Sequence, residues 1–292
     1  MARFILSAFA DEAGSTLEEQ INALKENGVK YIEPRQINGK GVLDYSLDEL
    51  REIAKILNEN GIKVNSVGSP IGKYPIDDDF EPHLEKFKYS LEVAKVLGTD
   101  RIRMFSFYVT QDKLKEKRDE VIRRLKIMVS LANEAGIKLC HENESEIYGQ
   151  MPAEVDDLLS NVEGLYGIFD AANYRMNNGD VMEGIKATMI NFSYLHIKDA
   201  HYESQTILPA GEGEGKIADI INIINDNYDT DVYLTLEPHL AIFAAYKDID
   251  NHELRGKYHF DNGREAFDFA MNTLKKLLIS NGYKENNFVW TK

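Results

Sequence analysis

Short apolar runs alternate with longer amphipathic stretches along most of the chain. Eight runs rich in Val, Ile and aromatic residues predict β-strands, and the stretches between them carry apolar residues at the spacing of a helix face. Repeated strand-then-helix units are typical of a parallel α/β fold. The predicted strands cover residues 3–9, 30–34, 63–68, 101–106, 138–142, 166–170, 194–199 and 232–237. The predicted helices cover residues 16–28, 46–61, 83–98, 118–136, 153–162, 180–189, 217–227 and 263–282.

Capping signals mark the ends of several predicted helices. Ser15 or Thr16 and Ser46 stand at N-cap positions, each with a glutamate about three residues later, as in a capping box. A glycine after the last helical residue allows the left-handed backbone that turns the chain into the next strand. Four predicted helices end in this way, at Gly28, Gly61, Gly98 and Gly136.

Eight strand-then-helix units with right-handed crossovers can form a closed barrel or an open, doubly wound sheet. The first predicted strand is not followed by the G-x-G-x-x-G sequence that typifies a dinucleotide-binding open sheet. A barrel typically needs about 250 residues, which suits a chain of 292. We therefore predict a single (β/α)8 TIM barrel over residues 1–280 and a C-terminal tail over 281–292.

The longest irregular stretch, about residues 239–263, follows the eighth predicted strand and precedes the last predicted helix. Loops at this end of a barrel strand lie on the active-site rim. The stretch contains several aromatic residues, which predict either a lid over the barrel mouth or a contact in a homo-oligomer.

Composition and charge exclude some classes of partner. The formal net charge of −15 argues against a nucleic-acid partner, because phosphate binding depends on clustered Lys and Arg. No apolar run approaches the roughly 20 residues of a membrane span. Cys140 is the single cysteine, so an internal disulfide is impossible and a reducing, cytoplasmic compartment is predicted.

Polar residues that can bind a metal stand at four successive predicted strand ends. Glu142, Asp170 and Glu237 each close an apolar run, and His196 lies near the end of the seventh strand. The C-terminal ends of barrel strands converge on one mouth, so residues far apart in sequence can meet there. Three carboxylates and one imidazole suit a single divalent ion of the Mg, Mn, Co or Zn group. Glu237 precedes a proline that ends its strand, and Glu33 repeats this device on strand two.

Five sequence segments together carry a family resemblance. They are HEN at 141–143, FDAANY at 169–174, LHIKDA at 195–200, PAGEGEG at 209–215 and TLEPHL at 235–240. The chain resembles the sugar phosphate isomerase/epimerase group of xylose isomerase-like barrels over essentially its whole length. That group includes ketose 3-epimerases, hydroxypyruvate isomerase, the inosose and dehydroshikimate dehydratases and, more distantly, endonuclease IV.

The resemblance implies roles for particular residues. In that group, the residues matching Glu142, Asp170, His196 and Glu237 bind one divalent ion, commonly Mn, Mg or Co. In its epimerases, the two glutamates also act as the acid/base pair, which implies a catalytic role for Glu142 and Glu237.

This chain departs from the ketose 3-epimerase pattern at two positions. Asn173, a candidate substrate-binding residue, stands where many of those enzymes have a histidine, and Tyr202 stands where they have an arginine. Their usual substrates are therefore not implied. Lys198 lies two residues beyond His196, on the same side of the strand, and is a candidate either for contact with substrate or for a salt bridge.

Further candidates flank the predicted metal site. Arg35 and Arg103, at the ends of strands two and four, are weaker candidates for recognition of an anionic substrate group. His239, two residues beyond Glu237, is a candidate to orient that glutamate or to line the pocket.

Three functions remain open from the sequence. The first is a metal-dependent isomerase or epimerase that removes a proton next to the carbonyl of a small sugar, polyol or sugar phosphate, through a metal-bound enediolate. The second is a dehydratase of the same group, of the inosose or dehydroshikimate type, that uses the same metal and expels water. A nuclease of the endonuclease IV type would need several more strand-end histidines and a basic face, so that function is disfavoured.

Overall fold

The structure is a computed structural model that describes residues 1–241, 258 and 260–292. Eight consecutive strand regions alternate with helices, which confirms the predicted (β/α)8 TIM barrel. The barrel strands are β1 (Arg3–Ala8), β2 (Tyr31–Ile32), β3 (Lys63–Val64 and Val67–Gly68), β4 (Arg101–Met104), β5 (Lys138–Glu142), β6 (Leu165–Asp170), β7 (Phe192–Ile197) and β8 (Asp231–Leu236).

The helices cover the outside of the barrel, and their apolar faces form one core with the strands. They are α1 (Leu17–Glu26), α2 (Leu47–Glu59), α3 (Phe80–Leu97), α4 (Leu114–Glu134), α5 (Pro152–Asn161), α6 (Ala171–Met176), α7 (Val181–Thr188), α8 (Ile217–Asn227) and α9 (Gly263–Ser280). Within the described residues, none of these helices is both long and apolar enough to cross a bilayer.

Parallel pairing runs from β3 through β8 and on to β1. The pairing of β1 with β8 is continuous from Arg3 opposite Asp231 to Ala8 opposite Leu236. Strand β2 pairs with β3, and the backbone N–H of Glu33 donates to the carbonyl of Ala8 at 3.0 Å. The barrel therefore closes between β1 and β2 near the mouth.

Residues 281–292 contain a β-hairpin. Its strands Lys284–Asn286 and Val289–Thr291 pair with each other, and the second strand runs antiparallel to β1, with Trp290 opposite Phe4. Trp290 is buried in the main core. The hairpin thus adds antiparallel strands beside the N-terminal half of β1.

The predicted capping signals are present. Thr16 with Glu19 and Ser46 with Glu49 form the capping boxes of α1 and α2. The four glycines predicted after helices have φ values between 61° and 73°, which an L side chain adopts only with strain. These are Gly28, Gly61, Gly98 and Gly136.

Three helices differ from the sequence prediction. Helix α3 begins at Phe80, so Pro82 lies in its first turn. Backbone N–H groups in the first turn have no partner within the helix, so a proline there costs no hydrogen bond. Helix α4 also begins earlier than predicted. Helix α6 has only six residues, too few to show a helical period, and was not predicted. The predicted rim segment 239–263 lies largely outside the described residues.

Candidate metal centre

The four predicted ligands meet at the mouth of the barrel. Glu142 ends β5, Asp170 ends β6, His196 lies in β7, and Glu237 directly follows β8. One ligand atom from each of these residues lies within 4.8 Å of the others, and all four side chains are buried. Parallel pairing sets this convergence, since His196 is opposite Asp170 and the Glu237 N–H donates to the Ile197 carbonyl at 3.1 Å.

The donor atoms fit a divalent cation. The Nδ1 atom of His196 lies 2.8 Å from Oε1 of Glu142. Oδ2 of Asp170 is buried and makes no hydrogen bond within the described structure, although Nζ of Lys198 lies 3.1 Å away. A buried carboxylate oxygen is stabilised by cations beside it, and a metal ion would add to the charge that Lys198 supplies. Three carboxylates and one imidazole nitrogen suit a single ion of the Mg, Mn, Co or Zn group.

Glu33 lies behind His196, and the sequence analysis assigned it no role in the site. Its Oε2 atom is 3.3 Å from Nε2 of His196, and its Oε1 accepts a hydrogen bond from the Tyr194 hydroxyl at 2.8 Å. Glu33 is fully buried. A carboxylate on the far nitrogen of a histidine fixes the ring and directs the other nitrogen towards the site. The signal for this role was the Glu-Pro pair at the end of β2.

Arg35, a predicted substrate-binding residue, is surrounded by carboxylates. Its guanidinium contacts Asp11 at 2.9 Å, Glu12 at 3.3 Å and Glu237 at 3.0 Å. Burial alone would lower the pKa of Arg35, but these carboxylates raise it above its usual value. Arg35 therefore lies beside the site, but these three carboxylates already engage its donors.

Lys198 and Asn173, the other two predicted substrate-binding residues, also contact predicted ligands. Nζ of Lys198 lies 2.6 Å from Glu237 as well as 3.1 Å from Asp170, so the salt-bridge alternative is present. Nδ2 of Asn173 donates to the Asn143 carbonyl at 2.8 Å and reaches Glu142 at 3.4 Å. Both residues are buried.

The charges around the two candidate catalytic glutamates keep both ionised. Burial alone would raise the pKa of Glu142, but His196 and Arg103 outweigh it and lower the pKa to about 2. Burial would likewise raise the pKa of Glu237, but Lys198 and His239 hold it well below its usual value. An ionised carboxylate can bind a cation or accept a proton.

The same environment shifts the other two predicted ligands in the opposite direction. Burial raises the pKa of Asp170 to about 6, although the charge of Lys198 opposes the shift. Burial would lower the pKa of His196, but Glu142 and Glu33 raise it to about 10. A metal ligand has to be deprotonated, so a bound cation would oppose both of these shifts.

His239 contacts Glu237, the glutamate that the sequence analysis suggested it could orient. Its Nε2 atom lies 3.2 Å from Oε1 of Glu237, and its backbone N–H donates to Glu12 at 2.7 Å. Glu12, Glu237 and His239 also form a second group whose geometry could hold an ion. Burial raises the pKa of Glu12 to about 7. The sequence analysis missed Glu12, which ends a short 3-10 turn after β1, whereas Glu237 directly follows β8.

The PAGEGEG segment is held by Asp199, the residue after Lys198. The Asp199 carboxylate accepts backbone hydrogen bonds from Gly211 at 3.0 Å, Gly213 at 3.1 Å and Gly215 at 2.7 Å. A Cβ atom at Gly213 would lie 2.4 Å from this carboxylate. The glycines therefore permit the close approach that fixes the loop beside the end of β7.

Comparisons with known proteins agree with this fold. The family described as xylose isomerase-like TIM barrel matches residues 21–251. A comparison with curated protein sequences gave no match.

Several solved structures are similar at low sequence identity. The probable 3-DHS dehydratase AsbF of Bacillus anthracis is 14% identical with a TM-score of 0.68, over 94% of this chain and 99% of that one. The IOLI protein with a binding zinc atom is 16% identical with a TM-score of 0.71, over 95% and 99%. The D-psicose 3-epimerase of Clostridium cellulolyticum H10 is 13% identical with a TM-score of 0.71, over 94% and 99%. At these identities, the likeness establishes the fold alone.

Proposed function

Because the chain belongs to the xylose isomerase-like TIM barrel family, we propose that it is a divalent-metal-dependent isomerase or epimerase of a small sugar, polyol or sugar phosphate. The observation that carries this proposal is the buried cluster of Glu142, Asp170, His196 and Glu237 at the barrel mouth. Similar solved structures include D-psicose 3-epimerase and L-ribulose 3-epimerase, which supports the same class of substrate.

The four residues of the cluster would hold the ion, and Glu142 and Glu237 would also move protons. When bound, a divalent cation would polarise the substrate carbonyl and stabilise the negative charge that develops when the neighbouring proton leaves. Both glutamates have pKa values well below neutrality. Either carboxylate can therefore accept the proton, provided that it lies within hydrogen-bond reach of that carbon.

The residues around the two glutamates would hold them in place. Lys198 contacts Glu237, and Asn173 contacts Glu142. A two-base mechanism requires one carboxylate on each side of the substrate. Return of the proton to the opposite face of the same carbon gives an epimer, whereas return to the adjacent carbon gives an aldose-ketose isomer.

Deuterium exchange tests this proposal. The metal-loaded protein is incubated in deuterated water with a panel of ketoses, aldoses and their phosphates. Deuterium is expected on the carbon next to the carbonyl of the true substrate, because the removed proton exchanges with solvent before it returns. Glu237→Gln keeps an oxygen ligand but removes one of the two bases, so exchange should be lost for the substrate epimer whose proton faces Glu237.

Three outcomes separate the possibilities. Loss of exchange in Glu237→Gln with the metal retained supports the dual role of this residue. Absence of exchange across the whole panel contradicts the proposal. Release of water from the substrate would assign a dehydratase, the class named for the structurally similar AsbF protein.

A further inference from the structure

A pocket opens beside the metal cluster, above the C-terminal ends of β2, β3 and β4. Its volume is about 220 Å³, and its lining includes Arg35, Arg103, Lys73, Lys86 and Asp44. Pockets for drug-sized ligands usually measure about 300–1,000 Å³. A cavity of this size suits a small terminal group of a substrate rather than a whole second ligand.

Arg103 is the best-placed donor in this pocket. It is 6% exposed, and its Nη1 atom donates to Glu142 at 3.2 Å. Its Nε atom is buried and, within the described part of the chain, has no hydrogen-bond partner. The rings of Phe9 and Phe105 each lie 5.0 Å from the guanidinium carbon and hold its plane. An acceptor on a ligand or a water molecule can satisfy a buried donor of this kind.

Two lysines complete the cationic lining. Nζ of Lys73 contacts Glu144 at 3.1 Å, and its side chain remains 22% exposed, so it can also face the pocket. Lys86 is exposed and has no hydrogen bond or ion pair to any residue that the structure describes. Lysine ammonium groups at a pocket edge can accommodate phosphate or carboxylate oxygens without a fixed geometry.

The side chains that line the pocket are mostly cationic, unlike the chain as a whole, and carboxylates outside the lining pair with Arg35, Arg103 and Lys73. The whole chain has a formal net charge of −15, whereas the pocket lining has four cationic side chains and a single carboxylate, that of Asp44. Arg35 and Arg103 also contact Glu237 and Glu142, two of the proposed metal ligands. A cation on those glutamates would add positive charge at the inner end of the pocket.

We propose that this pocket binds an anionic group, a phosphate monoester or a carboxylate, at the end of the substrate away from its carbonyl. The proposal rests on the proposed function, since it places the hydroxyketone end of the same substrate at the metal cluster. Arg35 and Arg103 lie between the pocket and the metal cluster, because each lines the pocket and contacts a glutamate of the cluster. The substrate class is therefore an anionic sugar derivative rather than a neutral sugar.

Calorimetric titration of the metal-loaded protein tests this assignment with three small hydroxyketones. Dihydroxyacetone is neutral, dihydroxyacetone phosphate carries a phosphate, and 5-hydroxy-4-oxopentanoate carries a carboxylate. At least one anionic compound should bind about tenfold or more tightly than dihydroxyacetone, as expected for one or two charge-assisted hydrogen bonds. The anion with the larger preference identifies the chemical group.

Variants localise the effect to the pocket. The double variant Lys73→Gln/Lys86→Gln should reduce the preference for the anion by about tenfold. Lys126→Gln is the matched control, because Lys126 is exposed on α4 and does not line the pocket. Equal affinity for neutral and anionic compounds, or equal effects of the double variant and the control, would overturn the proposal.

Metal-free protein separates this proposal from the proposed function. The pocket cations are part of the chain, so metal-free protein should still prefer glycerol 3-phosphate to glycerol. A preference of this kind without any deuterium exchange in the metal-loaded protein would contradict the proposed function and support the pocket. Deuterium exchange without any anion preference would support the proposed function and contradict the assignment of the pocket.

Discussion

Nε2 of His196 lies 3.3 Å from Oε2 of Glu33, a residue 163 positions earlier in the chain. The same carboxylate accepts a hydrogen bond from Tyr194, so it is fixed in position. We expect Glu33→Gln to weaken metal binding by about 10- to 100-fold, because the imidazole loses the charged group that orients it. Titration of metal-free protein with Mn²⁺ or Zn²⁺ measures the change.

Tyr194→Phe is the control for the Glu33 prediction. It removes a hydrogen bond to Glu33 but leaves the carboxylate beside His196. Its effect on metal affinity should be smaller than that of Glu33→Gln. Unchanged metal affinity in Glu33→Gln would contradict a role for Glu33 in orienting the His196 ring.

The second prediction concerns metal content. Purified protein should hold one divalent ion per chain, and Glu142→Ala should lose it, because a site with four protein ligands would be reduced to three. Glu144→Ala is the control, since Glu144 is two residues away and its carboxylate pairs with Lys73. Elemental analysis distinguishes the variants. A full equivalent of metal in Glu142→Ala would contradict the ligand assignment.

The third prediction concerns the loop held by Asp199. Asp199→Ala removes the acceptor of four backbone N–H groups, including that of Ala200. The free energy of unfolding should fall by about 2 to 4 kcal/mol, since four backbone donors lose their partner and two of them, at Ala200 and Gly215, are buried. Asp180→Ala is the comparison, because it removes an exposed N-cap acceptor of α7, which costs about 1 kcal/mol. Urea denaturation measures the free energy of unfolding of both variants. Equal decreases in Asp199→Ala and Asp180→Ala would contradict the prediction.

The fourth prediction concerns stability in acid. Burial lowers the pKa of His83 to about 4, with smaller contributions from Lys86 and Arg124. In the unfolded chain this imidazole titrates near 6.5, so the unfolded state binds a proton first as the pH falls. His83 therefore contributes stability above pH 6.5 that is lost between about 6.5 and 4.

His83→Gln tests this contribution. In the folded protein, the Gly72 N–H donates to Nε2 of His83 at 3.0 Å. Glutamine keeps an acceptor for this N–H but does not titrate. The drop in unfolding free energy between pH 7 and 4.5 should shrink by about 1 to 2 kcal/mol relative to wild type. Urea denaturation at both pH values measures it. An unchanged drop would mean that other groups carry the acid sensitivity.

The sequence predicted the elements that depend on local pattern. Strand ends and helix caps are set by neighbouring residues, which is why Gly98 and Ser46 were placed correctly. The convergence of Glu142, Asp170, His196 and Glu237 followed from the geometry of any barrel. The four lie together as expected, and their binding of a metal stays a prediction.

Contacts between distant strands could not be predicted in the same way. Glu33 and Glu12 act on residues from β7 and from the end of β8, and no local pattern reports which side chains they meet. Arg35 stays a candidate for substrate recognition, but the three carboxylates that engage it were not predicted. Helix α6 was missed because its six residues are too few for a periodic signal.

The position of β1 also constrains the order of folding. Its partners along most of its length are β8 and the C-terminal hairpin, more than 220 positions away, as in Ile5 with Tyr233 and Phe4 with Trp290. Such non-local pairing slows folding, because long loops must close before the contacts form. During synthesis, β1 can therefore pair with β8 and with the hairpin only after those distant segments have emerged.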